Sequence, residues 1–594
     1  MNEMSTNELY AEPPVSQPPN GRFRRLLWGS TLIALLFLIL AGLTLWLDPF
    51  GWAVLERLSG QYDATATAVP PNSVLYVGVN LLNSNVDDMK ALRDTFAAPL
   101  ADADVNLDDA QQEFTNMLAT DYGLTFADDV QPWLGQYLGF ALLDVTLGEF
   151  DSTPDASWLL LAETRNGSAA DAFLAKVAAA WAENNDATPV SESYNGVTIT
   201  AFVAERPGAG LALAQSGRMM LAATNSDVLK QAIDAQKGES LADKAEYQTA
   251  VADLPDARMV TMYMDGAQLT DMVQEMNASM SGLLMTSATS AFPTDWLRGT
   301  AVSLTFIDAG LQIDSINAYD PDALPAAQRA LLSNAYATAP VSLSLYPENT
   351  FFYVGVQGLG AIWETYRDLL VAQMGDPEAY AEAMALFARD FGVNPDTDFF
   401  PYLGQEIAVG LMPGDSGVFA EEMDLPLEAL MLLGTNNETA LAASLEAFTA
   451  KVSDPDSGLG EVNRLDSNGL ILYEFATPFS ESAQFMYGLG RGYFYLGTSA
   501  AGAQALQFGG GPSLADNAGY RAAVAALPTD MVPTMYLDLR SMMSVIRSSA
   551  AASGMDMAGF DQTAAVLYPL RTIAAAARVS ETAAQQTMIL FIER

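Results

Sequence analysis

The 594-residue sequence contains no cysteine and no histidine, and only 27 lysines and arginines stand against 72 aspartates and glutamates. Without cysteine there are no disulfides, thiolate nucleophiles or cysteine-held metals, so the fold relies on core burial even outside a cell. Without histidine the Ser-His-Asp, zinc–histidine and facial-triad chemistries are excluded in their usual forms. Charged residues make up only 17% of the chain, whereas half of it is apolar, which provides ample material for packed cores. The net charge of −45 falls wholly after the first 25 residues, which carry three charges of each sign (24 − 69 = −45). So acidic a surface repels nucleic-acid phosphates and anionic headgroups, and screening by salt relieves its self-repulsion.

The stretch Leu26 to Leu47 is apolar and carries no charge. Its length suits a helix crossing the roughly 30 Å hydrocarbon core of a bilayer. Trp28 and Trp46 sit at its ends, Arg22, Arg24 and Arg25 precede it and Asp48 follows. Interfacial tryptophans and the positive-inside rule predict an uncleaved anchor, with residues 1–25 cytoplasmic and everything after Asp48 extracytoplasmic. A signal peptide would have a shorter apolar core and a nearer cleavage site than Ala64, Ala66 and Ala68. The tail, with Pro13, Pro14, Pro18 and Pro19, reads as a short disordered segment.

Beyond a linker the chain runs through one pattern twice. Tyr76-Val77-Gly78-Val79 recurs as Tyr353-Val354-Gly355-Val356, and Pro132-Trp133-Leu134-Gly135-Gln136 as Pro401-Tyr402-Leu403-Gly404-Gln405. Asn195-Gly196, Ser240-Leu241-Ala242-Asp243, Tyr247, Leu254-Pro255, Met262-Tyr263 and Asp265 all recur 273 positions later, ending at Asp538. A period of that size is a domain duplication, not a solenoid. Within each copy short β-rich runs such as Val74–Val79, Leu138–Val145, Trp158–Ala162 and Met219–Ala223 alternate with helical spacing at Asp87–Ala98, Asp108–Leu118, Ala169–Trp181 and Ser226–Ala235. Helices between hairpins predict an α+β fold: one N-terminal transmembrane helix followed by two duplicated α+β domains with largely antiparallel sheets. The expected boundaries are 1–25 tail, 26–47 transmembrane helix, 48–70 linker, 71–320 first repeat and 345–594 second repeat.

The anchor, the opening Pro70-Pro71-Asn72-Ser73-Val74-Leu75-Tyr76-Val77-Gly78-Val79-Asn80, the Tyr122-Gly123 and Pro132–Gln136 element, and the later Leu254-Pro255 and Met262–Asp265 element together carry a resemblance. The chain resembles a bacterial family of membrane-anchored proteins known as domain of unknown function 3352. That resemblance implies an envelope protein, and the family lends no catalytic residues.

Motifs that suggest chemistry have plainer readings beside them. Asp102, Asp104, Asn106 and Glu113 imitate a calcium loop, but Leu107 occupies the turning-glycine position, so a helix–helix turn accounts for them. Gly414-Asp415-Ser416-Gly417 lacks any histidine base and reads as a turn, as does the glycine-rich Gly488–Gly492. The paired acids Asp128-Asp129, Asp396 with Asp398, and Glu421-Glu422 read as helix caps and solvated faces. Leu269, Met272, Val273, Met276, Met280, Leu283 and Leu284 follow helical spacing. Leu269, Met272, Met276 and Met280 form either the core side of an amphipathic helix or the wall of a hydrophobic groove, since methionine adapts to varied ligands. The chain is therefore expected to be a non-catalytic envelope protein for binding or scaffolding. It would touch the membrane through one helix, take a protein or hydrophobic ligand as partner, bind no nucleic acid and need no cofactor or metal. The alternatives are a lipid carrier or sensor using the methionine-rich helices, and a carboxylate-based hydrolase.

Overall fold

The computed structural model describes residues 63–102, 107–146, 155–202, 210–268, 296–324, 326–454, 461–467, 469–476, 484–508, 511–552 and 557–593. The expected anchor at 26–47 lies outside the described residues; among those described, no helix is long and apolar enough to cross a membrane.

The first half carries ten strands: β1 (Leu75–Asn80), β2 (Leu134–Thr146), β3 (Asp155–Thr164), β4 (Pro189–Tyr194), β5 (Val197–Phe202), β6 (Leu211–Ser216), β7 (Met219–Ala223), β8 (Val260–Asp265), β9 (Leu297–Ile307) and β10 (Gly310–Tyr319). The second half repeats the set: β11 (Phe352–Gln357), β12 (Leu403–Pro413), β13 (Leu427–Thr435), β14 (Glu461–Ser467), β15 (Leu470–Ala476), β16 (Gln484–Gly490), β17 (Tyr493–Gly497), β18 (Val532–Asp538), β19 (Leu570–Val579) and β20 (Ala583–Ile592). Within the first half the neighbours run β4-β5-β6-β7-β3-β2-β1-β8-β9-β10, every pair antiparallel. The second half runs β14-β15-β16-β17-β13-β12-β11-β18-β19-β20 in the same manner.

The sequence reading expects separate sheets, one per repeat. Instead β10 pairs with β20, so both repeats share one sheet of twenty strands. In that pairing Asp314 stands opposite Thr587, its own counterpart at the repeat offset (587 − 314 = 273), so a pseudo-twofold axis passes between them. The Thr587 hydroxyl donates to the Asp314 carboxylate at 2.6 Å, with both residues buried. The Gln312 side-chain amide also donates to that carboxylate, at 2.9 Å.

The repeated motifs are explained by local geometry. Tyr76 and Gly78 share a strand face, and the ring lies over the glycine: a Cβ there would sit 2.5 Å from the Tyr76 hydroxyl, and one on Gly355 would sit 2.2 Å from the Tyr353 hydroxyl. The Ser-Leu-Ala-Asp repeat forms a reciprocal capping box at Ser240 with Asp243 and again at Ser513 with Asp516. Asn166 and Asn437 cap equivalent helices by accepting from Ala169 N–H and Ala440 N–H. Asn195 and Gly196 both have positive φ, which suits the tight turn joining β4 to β5.

Helices cover both sides of the sheet. Helices Ser226–Ala235 and Ala245–Val251 contribute Val228, Ile233, Tyr247 and Ala250 to one core, and Ala518–Ala526 contributes Tyr520 and Ala523 to its counterpart. The opposite side receives Asn83–Asp102, Leu107–Tyr122 and Gly167–Asn185 in the first half, and Leu359–Met374 and Glu438–Val452 in the second. Packing of the first repeat begins before residue 71: Thr65, Ala66, Ala68 and Val69, read as linker from sequence, are buried in its core.

Candidate functional site

The acids singled out in the sequence hold local structure together. Asp129 accepts from Thr125 N–H at 2.7 Å and pairs with Lys176 at 2.5 Å. Asp398 accepts from Asn394 N–H at 2.9 Å in the equivalent turn, and Asp396 accepts from the Trp363 indole at 3.1 Å. Burial alone would push the Asp129 carboxyl up, but Lys176 and the Thr125 amide reverse this and hold it below its ordinary value. Glu421 accepts from Gly417 N–H at the start of helix Val418–Met423, the turn reading of Gly414–Gly417. Asp102 ends one helix and Leu107 begins the next, with residues 103–106 outside the described set. Among the described residues no three carboxylates gather to hold a metal ion.

A second polar group lies inside the sealed side of the sheet. Tyr76 donates to the Asp63 carboxylate and lies 2.6 Å from the Thr65 hydroxyl, while Lys244 pairs with the buried Asp265 at 2.6 Å. Burial pushes the Tyr76, Tyr247 and Tyr263 hydroxyls well above the usual tyrosine range. These hydroxyls stay protonated at neutral pH, which is a packing role. Ring contacts at 6.2 and 5.2 Å join Tyr76, Tyr247 and Tyr263 into one block.

The unusual feature is a difference between the two sides of the sheet. Alternate residues on a strand point to opposite sides, so each strand samples both. On one side Ala141, Tyr76, Tyr263 and Ala301 stand in one cross-strand row and are all 0% exposed. On the other side the neighbouring row Phe140, Val77, Met262 and Val302 is entirely apolar, yet every member is only half-buried.

The half-open side continues across the repeat seam. A single row runs Val260, Leu304, Ile313, Met588, Ala575, Met535, Val354, Val409 and Met431, each paired with the next from β8 to β13. Every member except the buried Ala575 is half-buried, and none is polar. A parallel row, Leu311, Leu590, Ile573, Leu537, Phe352 and Leu411, is likewise apolar and half-buried. Toward the far end of the second repeat the surface opens further. Phe485 and Leu496 are each 44% exposed, where strand register places Leu211 at 1% and Ala222 at 3% in the first repeat. The first repeat closes the corresponding space around an apolar cavity of about 30 Å³ lined by Leu118, Phe173, Leu213 and Met220, room for about one water and no ligand.

The groove residues expected from sequence, Leu269, Met272, Met276 and Met280, lie outside the described residues. At the repeat offset Met272 corresponds to Val545 and Met276 to Ser549 on the helix Leu539–Ala552, where both counterparts are buried. That helix packs against β18 and β19 and turns its stripe inward, with Met542 and Met543 half-buried. The half-open sheet rows were missed from sequence. The nearly continuous apolar character of β1 and β11 marks strands packed on both sides, but carries no signal of how closely each side is covered.

The fold and its half-open side define a class: a duplicated α+β protein built on one shared antiparallel sheet, with an apolar surface running through both copies. The chain belongs to the family described as protein of unknown function (DUF3352), whose family model matches residues 30–592. Among solved structures the chain is similar to TP0453. Crystal form IV covers 44% of this chain and 82% of that one at 9% identity and a TM-score of 0.20. Crystal form I covers 48% and 90% at 9% identity and 0.21. Scores of that size describe no common overall fold. No curated protein matches the sequence.

Proposed function

We propose that the chain is a non-catalytic binding protein of the cell envelope, held by a helix at residues 26–47, whose working surface is the half-open side of the sheet and whose ligand is hydrophobic. The observation that supports this is the contrast between adjacent rows. Fully buried residues on one side show that the helices can seal the sheet, whereas equally apolar residues on the other side are left partly uncovered in both repeats. Contiguous apolar surface left uncovered in this way marks a binding surface. Methionines at 262, 264, 535 and 588 suit ligands of variable shape. A non-catalytic role is further supported by Asp129, Asp398 and Glu421, one acid of each pair, accepting backbone N–H groups.

The test is binding of N-phenyl-1-naphthylamine, whose fluorescence rises in apolar surroundings, to the full chain held in amphipol. Val302→Glu and Met535→Glu should each abolish most of the signal, while Val190→Glu, at an exposed edge-strand position, should leave it unchanged. Equal binding by all four proteins would sink the reading. The topology is tested separately: protease outside the cell should digest the large region and spare the tail.

A further inference from the structure

We infer that the half-open surface is one continuous track shared by both repeats, and that its occupant is the acyl portion of a membrane phospholipid bearing a zwitterionic headgroup. This rests on the hydrophobic-ligand reading above and adds the shape, number and class of the ligand.

Continuity is the first argument. Two separate sites, one per repeat, would be divided at the β10–β20 seam. The seam instead places Ile313 opposite Met588 and Leu311 opposite Leu590, so apolar rows cross it without a polar break. Of the seam's polar residues, the buried Asp314 and Thr587 point to the sealed side and hydrogen-bond to each other there, whereas Ser315 opposite Gln586 lies on the open side and bounds the two apolar rows. The two strands are thus pinned from behind while two apolar rows cross in front, bordered by Ser315 and Gln586. The pin is asymmetric, since one member of the pair is an acid and the other a hydroxyl.

Length is the second. The row from Val260 to Met431 crosses nine strands, and eight spacings of about 4.8 Å make it about 38 Å long. One leaflet of a bilayer is about 15 Å of hydrocarbon, half of the roughly 30 Å core. A track more than twice that length fits extended acyl chains lying across the strands, and far exceeds a compact ring system. Charge is the third argument. A chain with a net charge of −45 disfavours an anionic headgroup at its rim and tolerates a zwitterionic one.

The experiment incubates the full chain in amphipol with vesicles of phosphatidylethanolamine carrying a photoactivatable acyl chain, and in parallel with phosphatidylglycerol carrying the same chain. Cross-linked peptides are then mapped, and bound lipid is counted by native mass spectrometry. The expected result is one lipid per chain, labels on β8–β10 and on β18–β20, and at least tenfold less labelling from phosphatidylglycerol. Met588→Trp, which blocks the seam with an apolar group, should shift the preference to shorter acyl chains, while Met588→Leu should not. Thermal melting of both variants verifies that they are folded. Labels confined to one repeat, or two lipids per chain with unchanged chain-length preference in Met588→Trp, would overturn the continuous track and leave the hydrophobic-ligand reading standing. Equal labelling by the anionic lipid would overturn the headgroup assignment. No labelling by either lipid, with naphthylamine binding also absent, would overturn both readings.

Discussion

The two sides of this sheet are made of the same kind of residue and end in different states. The sealed side sets Ala141, Ala301, Ala408, Ala574 and Ala576 beside Tyr76, Tyr263, Tyr353 and Tyr536, with Leu159, Leu161 and Leu221 in the core of the first repeat, none more than 3% exposed. Alanine lets helix backbones approach the sheet closely, and the tyrosine rings fill the space that remains. The half-open side carries Met262, Met264, Val302, Leu304, Ile313, Met535 and Met588, all half-buried. Apolar composition therefore does not by itself decide what is core.

The comparison breaks most readily on the sealed side. Leu161 is 0% exposed, so Leu161→Ala should cost about 3–5 kcal/mol, loss of transfer energy plus an unfilled cavity, and lower the melting temperature of the full chain by several degrees. A next, smaller effect is expected at the seam. Thr587→Val keeps the shape but removes a hydroxyl donor from the buried Asp314 carboxylate, leaving Gln312 as its side-chain donor among the described contacts. The expected loss is about 1–3 kcal/mol, read by denaturant unfolding. Val302→Thr on the half-open side should cost less, about 1 kcal/mol or under, because the new hydroxyl can still reach water. It should nonetheless weaken naphthylamine binding. If Val302→Thr proves as destabilising as Leu161→Ala, the two sides do not differ and the binding surface is core.

Much of this arrangement was legible in the residues. The 273-residue offset places Tyr263 and Tyr536, and Asp265 and Asp538, on the equivalent strands β8 and β18. Gln484–Gly497 forms the expected hairpin of β16 and β17. The anchor and the methionine stripe lie outside the described residues. Strand β10 was not foreseen, because Gln312, Asp314, Ser315 and Asn317 give it the polarity of a loop. Its Asp314 accepts from Thr587, 273 residues away, and its Asn317 from Thr300 on β9, and pairing across strands leaves no local periodic signal. The shared sheet follows from β10 and was hidden with it. The half-open rows were hidden for a different reason: alternation reports which residues share a side, and says nothing about how closely a helix covers that side.

The smallest expected effect concerns pH, and it follows from what the composition lacks. With no histidine or cysteine, no described side chain has an ordinary value between those of the carboxylates and the tyrosines. At the alkaline end, burial pushes Tyr122, Tyr137, Tyr380 and Tyr520 up to about 12. A hydroxyl raised in the folded state contributes stability that is complete below the unfolded value of about 10, and that stability is lost as pH rises through the folded value. At the acid end Asp129 is held below its ordinary value, so its contribution is present above about 4 and is lost as pH falls. The melting temperature should therefore be flat between about pH 6 and 9 and fall outside that window. Tyr520 packs edge-on against Tyr536 beneath the sealed side, at 5.4 Å. Tyr520→Phe removes one of the alkaline contributors without emptying that space, so it should make the decline above pH 10 shallower and leave the plateau where it was. A plateau that slopes by more than a few degrees would show that a group in the chain titrates near neutrality, and the account of a sealed, uncharged tyrosine core would have to give way to one with an ionising member.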